Sequence, residues 1–236
     1  MNEGKLYLIP VGLGSENPQE HLPQHNLDIV SQLDEFIVEN VRSARRFLRA
    51  TSYTKDFDEV TFHVLDKHTS DNEIPSFLTG IQAGKDIGLL SEAGNPCIAD
   101  PGGKVVKLAH EQKIEVIPMV GPSSILLSLI ASGFNGQNFC FHGYLPVEKR
   151  ERQKKIKALQ QDAYQKDQTQ IFMETPYRND ALLEDLLTIC NDNTLLCIAA
   201  DISLPDQFIK TRTIREWKKN KPGLHKRPSV FLIYKD

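Results

Sequence analysis

The chain has 236 residues, a length that fits one large or two small domains and can bury a core without disulfide or metal support. Hydrophobic residues make up 40% of it and charged residues 25%, as in ordinary globular proteins. With 28 Lys and Arg against 31 Asp and Glu, the net charge is −3. This charge excludes a uniformly basic nucleic-acid-coating protein but leaves room for a local basic surface.

The apolar runs and the cysteines further limit the class of protein to which the chain can belong. The longest apolar run, at residues 125–131, is far shorter than the roughly 20 residues of a membrane span, so no membrane association is expected. The N-terminus leads directly into a strand-like segment at Leu6, so no secretory signal is expected. The four cysteines are widely spaced and the histidines are scattered, which predicts no metal site and free thiols in a reducing cytoplasm.

Strand-like and helix-like patterns alternate along the first half of the chain. Strands are predicted near residues 4–9, 34–38, 60–65, 86–90 and 114–118. Helices are predicted near residues 26–32, 41–50, 73–84 and 102–112. This alternation implies a mostly parallel sheet with helices on its faces.

The pattern restarts after Pro118. Helices are predicted near residues 123–132, 147–162 and 178–190, and strands near 138–142, 168–174 and 194–199. The C-terminal part reads as two strands, 207–213 and 229–234, around a basic loop, so some antiparallel pairing is expected. We therefore predict two α/β domains, residues 1–118 and 119–236.

Loops rich in glycine and proline follow two of the predicted strands. The first contains Gly12 and Gly14 but lacks the third glycine of the dinucleotide fingerprint, which argues against NAD. The second contains Glu92 and Asp100. Asp100 precedes a proline and could cap a helix, whereas Glu92 has no such local role and could accept hydrogen bonds from a ligand.

Polar residues also stand at the ends of two later elements. Ser123 and Ser124 follow a Gly-Pro pair and are good helix-start residues, which is the simplest role for at least one of them. Glu174 ends an apolar strand and lies four residues before Arg178, so the two side chains could simply pair.

Basic residues are concentrated in three segments, near residues 42–49, 149–157 and 218–227. In the first, arginines recur at i, i+3, i+4 and i+7, which places Arg42, Arg45, Arg46 and Arg49 on one helix face. A solvated helix face would explain a single basic cluster. Guanidinium groups nevertheless suit phosphate, so we favour a phosphate-binding role for this stripe.

Four segments of the chain form a series: residues 6–14 (LYLIPVGLG), 91–102 (SEAGNPCIADPG), 121–124 (GPSS) and 172–178 (FMETPYR). In this order they resemble the tetrapyrrole methylase family of S-adenosylmethionine (SAM)-dependent methyltransferases. The second segment is the most specific. The resemblance extends over about residues 5–190 and is closest to the branch that methylates the ribose 2′-hydroxyl of a cytidine in 16S rRNA.

The resemblance implies two α/β domains of the tetrapyrrole methylase type with SAM in the cleft between them, and a homodimer. Its implied partner is rRNA or the small ribosomal subunit. Its implied cofactor contacts are Pro10, Ser91, Glu92, Ala93, Ser123, Ser124, Met173, Glu174, Ala200 and Ser229.

This chain also departs from the rRNA branch. The usual Glu-Asp-Thr-Arg is here ENVR at residues 39–42, and the usual Arg-Glu-Leu-Thr-Lys is replaced by ADISL at residues 200–204. Glu16 stands nearest to the aspartate that the branch usually carries in its first loop.

A ribose hydroxyl is a poor nucleophile at neutral pH, so a base would assist its methylation. Glu39 is the first candidate for this role and Asp100 the second, and Arg42 and Arg45 would hold flanking phosphates. Two alternatives stay open: methylation of a tetrapyrrole or another small molecule, because fold does not fix function, and a SAM-binding module without turnover. The second is motivated by the departures from the rRNA branch at Asn40, Val41 and Asp201.

Overall fold

A computed structural model describes residues 4–15 and 17–236, so Glu16 lies outside the described residues. The chain folds as two compact units, residues 1–123 and 124–236. Each unit has its own five-stranded sheet. The domain boundary between residues 118 and 119 stays a prediction.

The first unit alternates strands and helices, as predicted. Its strands are β1 (Leu6–Ile9), β2 (Glu35–Val38), β3 (Thr61–Val64), β4 (Ile87–Leu90) and β5 (Val116–Pro118). Its helices are α1 (Gln24–Gln32), α2 (Val41–Ala50), α3 (Thr79–Gln82) and α4 (Gly103–Glu111), and 3-10 turns cover Pro18–Glu20 and Ile74–Leu78. All strand pairs are parallel, in the order β3-β2-β4-β1-β5. The helix predicted near 73–84 is a 3-10 turn that continues into the short α3.

Side chains that alternate along the strands give the first unit a core on each face of its sheet. Phe36 and Val38 pack on one face with residues of α1 and α2. Ile37 and Leu89 pack on the other with residues of α3 and α4. Because both faces are covered, the loops at the carboxyl edge of the strands are where a ligand can approach.

The second unit has a mixed sheet, as predicted. Its strands are β6 (Phe139–Tyr144), β7 (Thr169–Glu174), β8 (Leu195–Ala200), β9 (Phe208–Thr213) and β10 (Ser229–Tyr234). Its helices are α5 (Ser124–Ser132), α6 (Lys149–Gln165), α7 (Asn179–Ile189) and α8 (Ile214–Lys219). The order is β6-β7-β10-β8-β9; β6 and β7 are parallel, whereas β10 runs antiparallel to both β7 and β8.

The prediction of a loop throughout the segment between the last two strands is wrong for residues 214–219, which form α8. The side chains of Thr213 and Glu216 cap its first turn reciprocally. Trp217 is buried in the core and its indole N–H donates to the carbonyl oxygen of Leu196 at 2.9 Å. The short Thr-x-x-Glu pattern was the local signal for this helix. The basic residues around it suggested an exposed loop, although Trp217 is buried.

No helix in the described part of the chain combines the length and the apolar character needed to cross a membrane. Within residues 4–15 and 17–236, no group of three or more His, Cys, Asp or Glu side chains is arranged to hold a metal ion. All four cysteines are free thiols.

Candidate functional site

A cavity of about 350 Å³ lies at the carboxyl edge of the first unit's sheet. This volume falls within the range of small-molecule sites. Its walls come from the loops that follow β1, β2 and β4 and from one side of α2. The polar and charged side chains among its described lining residues are Ser15, Glu39, Ser43, Arg46, Ser91 and Glu92.

The two glycine-containing loops identified in the sequence are joined to each other. The N–H of Val11 donates to the carbonyl oxygen of Gly94 at 2.9 Å, and the Ser91 hydroxyl donates to the same oxygen at 3.1 Å. Pro10 is buried beside Gly121, where any side chain would place a Cβ 2.2 Å from the proline ring. Gly121 therefore allows the two backbone segments to approach closely.

Glu39 and Glu92 both line the cavity and are joined by a hydrogen bond from the main chain of one to the side chain of the other. The N–H of Glu92 donates to Oε1 of Glu39 at 3.2 Å, and the Ser43 hydroxyl donates to Oε1 of Glu92 at 2.5 Å. Burial is the main cause that raises the pKa of Glu39, and the charges of Asp100 and Glu92 add to it against the lowering effect of the Glu92 N–H. A carboxylate with a raised pKa is better suited to receive a proton near neutral pH.

Asp100 holds the shape of the second loop. Its carboxylate accepts from the N–H of Cys97 at 2.9 and 3.0 Å and from the N–H of Gly102 at 2.8 Å. Cys97 and Ala99 lie in the left-handed region, at φ of 70° and 63°, so these hydrogen bonds stabilise a strained turn. The Asp100 side chain thus caps the turn that leads into α4, while Gly102 is the residue at the helix cap itself.

The arginine stripe of α2 has two different environments. The Arg45 guanidinium lies 5.4 Å from the ring centre of Phe57 and 5.5 Å from that of Phe62, and Arg49 lies 5.2 Å from the Phe57 ring. Arg42 is exposed in the first turn. Arg46 is the arginine of this stripe that lines the cavity.

Sequence reasoning did not identify Ser43, and it identified Arg46 only as one of the four arginines of the stripe. Both lie on the side of α2 that faces the cavity, together with Phe47 and Ala50. The signal was the spacing of i, i+3, i+4 and i+7 among these four residues, in the helix that follows the strand ending at Val38.

In the second unit, the sheet brings Glu174, Ser229 and Ala200 side by side. Ser229 of β10 is in register with Glu174 of β7 on one side and with Ala200 of β8 on the other. Met173 precedes Glu174 and is half-buried. The Ala200 side chain is fully buried in the core, so its main chain is the part that could contact a ligand.

Glu174 is buried and only partly paired. Its Oε1 accepts from the Arg178 guanidinium at 2.5 Å and from the N–H of Thr175 at 2.6 Å. Its Oε2 is buried without a hydrogen-bond partner in the described part of the chain. An orphaned acceptor of this kind requires a donor to offset the loss of water.

The other predicted cofactor residues lie on loops or at a helix start. Ala93 is exposed in the loop after β4. Ser123 is the last residue of the first unit, and Ser124 is the first residue of α5; both are half-buried.

Residues 5–218 match the family described as Tetrapyrrole (Corrin/Porphyrin) Methylases. Proteins named ribosomal RNA small subunit methyltransferase I are similar to the chain over most of its length. The one from Haemophilus influenzae is 27% identical over 98% of the chain and 78% of its own length. Those from Synechocystis sp. and Bacillus subtilis are 32% and 30% identical, over 85% and 88% of the chain and 67% of their own lengths.

Two solved structures have the same fold. The methyltransferase CobJ superposes with a TM-score of 0.64 at 15% identity, covering 98% of the chain and 94% of CobJ. The uroporphyrin-III-C-methyltransferase from Thermus thermophilus gives 0.59 at 17% identity, covering 98% of the chain and 92% of that structure.

Acidic side chains in each unit also fit the chemistry of SAM, which offers an ammonium group, ribose hydroxyls and an adenine amino group as hydrogen-bond donors. Glu92 has a carboxylate at the cavity, and Oε2 of Glu174 is a buried acceptor that needs a donor. The family match covers nine-tenths of the chain, from β1 to α8. The chain therefore belongs to the tetrapyrrole methylase family and is a SAM-dependent methyltransferase.

Proposed function

We propose that the acceptor is a ribose 2′-hydroxyl in the 16S rRNA of the small ribosomal subunit. The observation that carries this proposal is that Glu39 and Glu92, joined by a hydrogen bond from the Glu92 N–H, line a cavity that is also lined by Arg46. The names of the similar proteins support an rRNA acceptor. Methylation of a tetrapyrrole is the alternative outcome of the test below.

The chain's part in the reaction is to orient the acceptor and to receive its proton. SAM, when bound, supplies a methyl group that is activated by a sulfonium. Oε1 of Glu39 already accepts the N–H of Glu92, which leaves Oε2 to accept the acceptor hydroxyl and then its proton. The cavity walls align the acceptor and reduce its contact with water. Asp100 is the second candidate for the base, because three hydrogen bonds already occupy its carboxylate.

We also propose which residues contact the two ligands. Arg42 would hold a flanking phosphate from the exposed first turn of α2. Arg45, whose guanidinium lies over the rings of Phe57 and Phe62, is the second proposed phosphate contact. The proposed cofactor contacts are Pro10, Ser91, Glu92, Ala93, Ser123, Ser124, Met173, Glu174, Ala200 and Ser229.

The decisive experiment measures transfer of labelled methyl groups from SAM to small ribosomal subunits purified from a strain that lacks this gene. Wild type should label 16S rRNA at one ribose, and Glu39→Gln should lower kcat at least about a hundredfold, the lower end of the usual contribution of a general base. Glu111→Gln is the matched control, because Glu111 is an exposed acid at the end of α4.

The control variant should turn over at the wild-type rate. Unchanged turnover in Glu39→Gln would remove Glu39 from the chemistry. If a uroporphyrinogen-type acceptor is methylated and rRNA is not, the proposed rRNA substrate is wrong and the acceptor is a tetrapyrrole.

The proposal extends to a homodimer that acts in the cytoplasm, where ribosomes are assembled. Ile130 on α5 is 78% exposed and Tyr144 at the end of β6 is 54% exposed, and apolar side chains of this kind are suited to contact a second copy. Light scattering of the purified full chain should give twice the monomer mass of 26.7 kDa.

A further inference from the structure

The geometry of α2 separates Arg46 from the other arginines of its stripe. An α-helix turns by about 100° per residue, so Ser43, Arg46 and Ala50 lie along one side and Arg45 and Arg49 along the next. The first side lines the cavity, and the second packs against Phe57. Arg46 is exposed and makes no hydrogen bond or ion pair with a described residue, so its guanidinium is available to a ligand.

The cavity has charges of both signs on its walls. Its charged lining residues, among those described, are Glu39, Glu92 and Arg46. The two carboxylates would accept hydrogen bonds from hydroxyl groups but would repel an anion. A ligand that carries both hydroxyl groups and an anionic group therefore fits only with its anion at Arg46, where a planar guanidinium can make two parallel hydrogen bonds.

From this we infer that Arg46 is a specificity-determining residue that binds the phosphate of the acceptor nucleotide while that nucleotide's ribose lies at Glu39. This inference rests on the proposed rRNA methylation. A cavity of about 350 Å³ admits a single nucleotide and not a stacked helix, so the acceptor nucleotide leaves its stack to enter. The phosphate then fixes which ribose of the RNA reaches the carboxylates.

The test compares Arg46→Ala and Arg46→Lys with the control Arg215→Ala, at an exposed arginine of α8 that lies outside the predicted phosphate-binding stripe. The measured quantities are KM and kcat for small ribosomal subunits at several salt concentrations, with the Kd for SAM from calorimetry. Arg46→Ala should raise KM about tenfold and flatten the slope of log KM against log salt by about one unit, as expected for the loss of one phosphate contact. Its Kd for SAM should stay within about twofold of wild type, because the charge removed faces the RNA.

Arg46→Lys should recover part of the loss in KM, because lysine keeps the charge without the planar fork. Arg215→Ala should keep the wild-type KM and salt slope. An unchanged KM and salt slope in Arg46→Ala would overturn the assignment, and so would a large loss of SAM affinity in that variant. If wild type itself transfers no methyl group to small ribosomal subunits, the proposed function fails, and the nucleotide assignment fails with it.

Discussion

The two sheets both place acidic side chains at one edge, but they surround these acids differently. In the first unit, Glu39 and Glu92 accept hydrogen bonds from a main-chain N–H and a serine hydroxyl, which are neutral donors. In the second unit, Glu174 pairs with Arg178, and Asp201 pairs with Arg227 at 2.5 Å. Glu39 and Glu92 form no ion pair with a described residue, which suits them to a ligand.

The strand directions help to explain the difference. All strands of the first sheet are parallel, so the loops after β1, β2 and β4 meet at one edge and leave a cavity there. In the second sheet, the antiparallel β10 lies between β7 and β8. Its first residue, Ser229, is preceded by a segment that brings Arg227 to Asp201. Arg227 therefore neutralises Asp201, whereas Glu39 and Glu92 have no such partner among the described residues.

The largest expected effect concerns the second unit, where buried charges are predicted to be structural. Arg152 of α6 and Asp185 of α7 are 9% and 6% exposed and are joined by two contacts of 2.6 and 2.7 Å. Asp185→Asn would leave a buried guanidinium without its counter-charge, so we expect a loss of about 3–5 kcal/mol in the free energy of unfolding. Urea denaturation followed by circular dichroism measures this.

The matched control uses an exposed pair on the same helix. Glu151 and Lys154 are 2.7 Å apart but 57% and 73% exposed. Glu151→Gln should change the free energy of unfolding by less than about 1 kcal/mol. Equal effects of the two substitutions would mean that buried ion pairs do not stabilise the second unit, and the contrast between the units would not hold.

An intermediate effect is expected at Asp100, where shaping of the loop and proton removal can be separated. Asp100→Ala leaves the N–H groups of Cys97 and Gly102 without their acceptor, so we expect a loss of about 1–3 kcal/mol and lower activity. Asp100→Asn keeps an acceptor oxygen and should retain most of the stability and most of the activity. If Asp100→Asn keeps its stability but loses turnover, the carboxylate acts in the chemistry and Asp100 replaces Glu39 as the first candidate.

The elements of the fold could be predicted because each carries a local pattern. The helix predicted at 41–50 is α2, and the Asn40 side chain caps it. The same pattern predicted four arginines on one face of the helix, but it did not predict which residues that face contacts. Arg45 packs against Phe57 and Phe62, which follow it by 12 and 17 residues, and this packing depends on tertiary structure.

The pairing of Glu39 with Glu92 also lay beyond sequence reasoning, although both were singled out. They are 53 residues apart, and they meet because β4 lies directly beside β2. Alternating strands and helices predict a parallel sheet but leave the order of the strands open. The order of the strands therefore explains why Glu39 and Glu92, predicted separately, lie in the same site.

The smallest expected effect tests whether Glu39 is kept for function at the expense of stability. Its pKa is raised above the ordinary value of 4.5, so the charged form is disfavoured in the folded protein. This destabilisation is absent at low pH, where the carboxyl is protonated in both states, and develops as the pH rises from 4.5 through the raised pKa. Glu39→Gln removes it, so the variant should melt at most about 2 °C above wild type at pH 7.5, and the difference should shrink towards pH 4.5.

Glu111→Gln should show no such pH-dependent difference in Tm, because its exposed side chain is solvated in both states. If Glu39→Gln is more stable than wild type but inactive, Glu39 serves the reaction. Removal of a carboxylate that stabilises the fold would lower the stability instead. A Glu39→Gln variant that melts below wild type at pH 7.5 would instead group Glu39 with Asp185, as an acid that stabilises the fold.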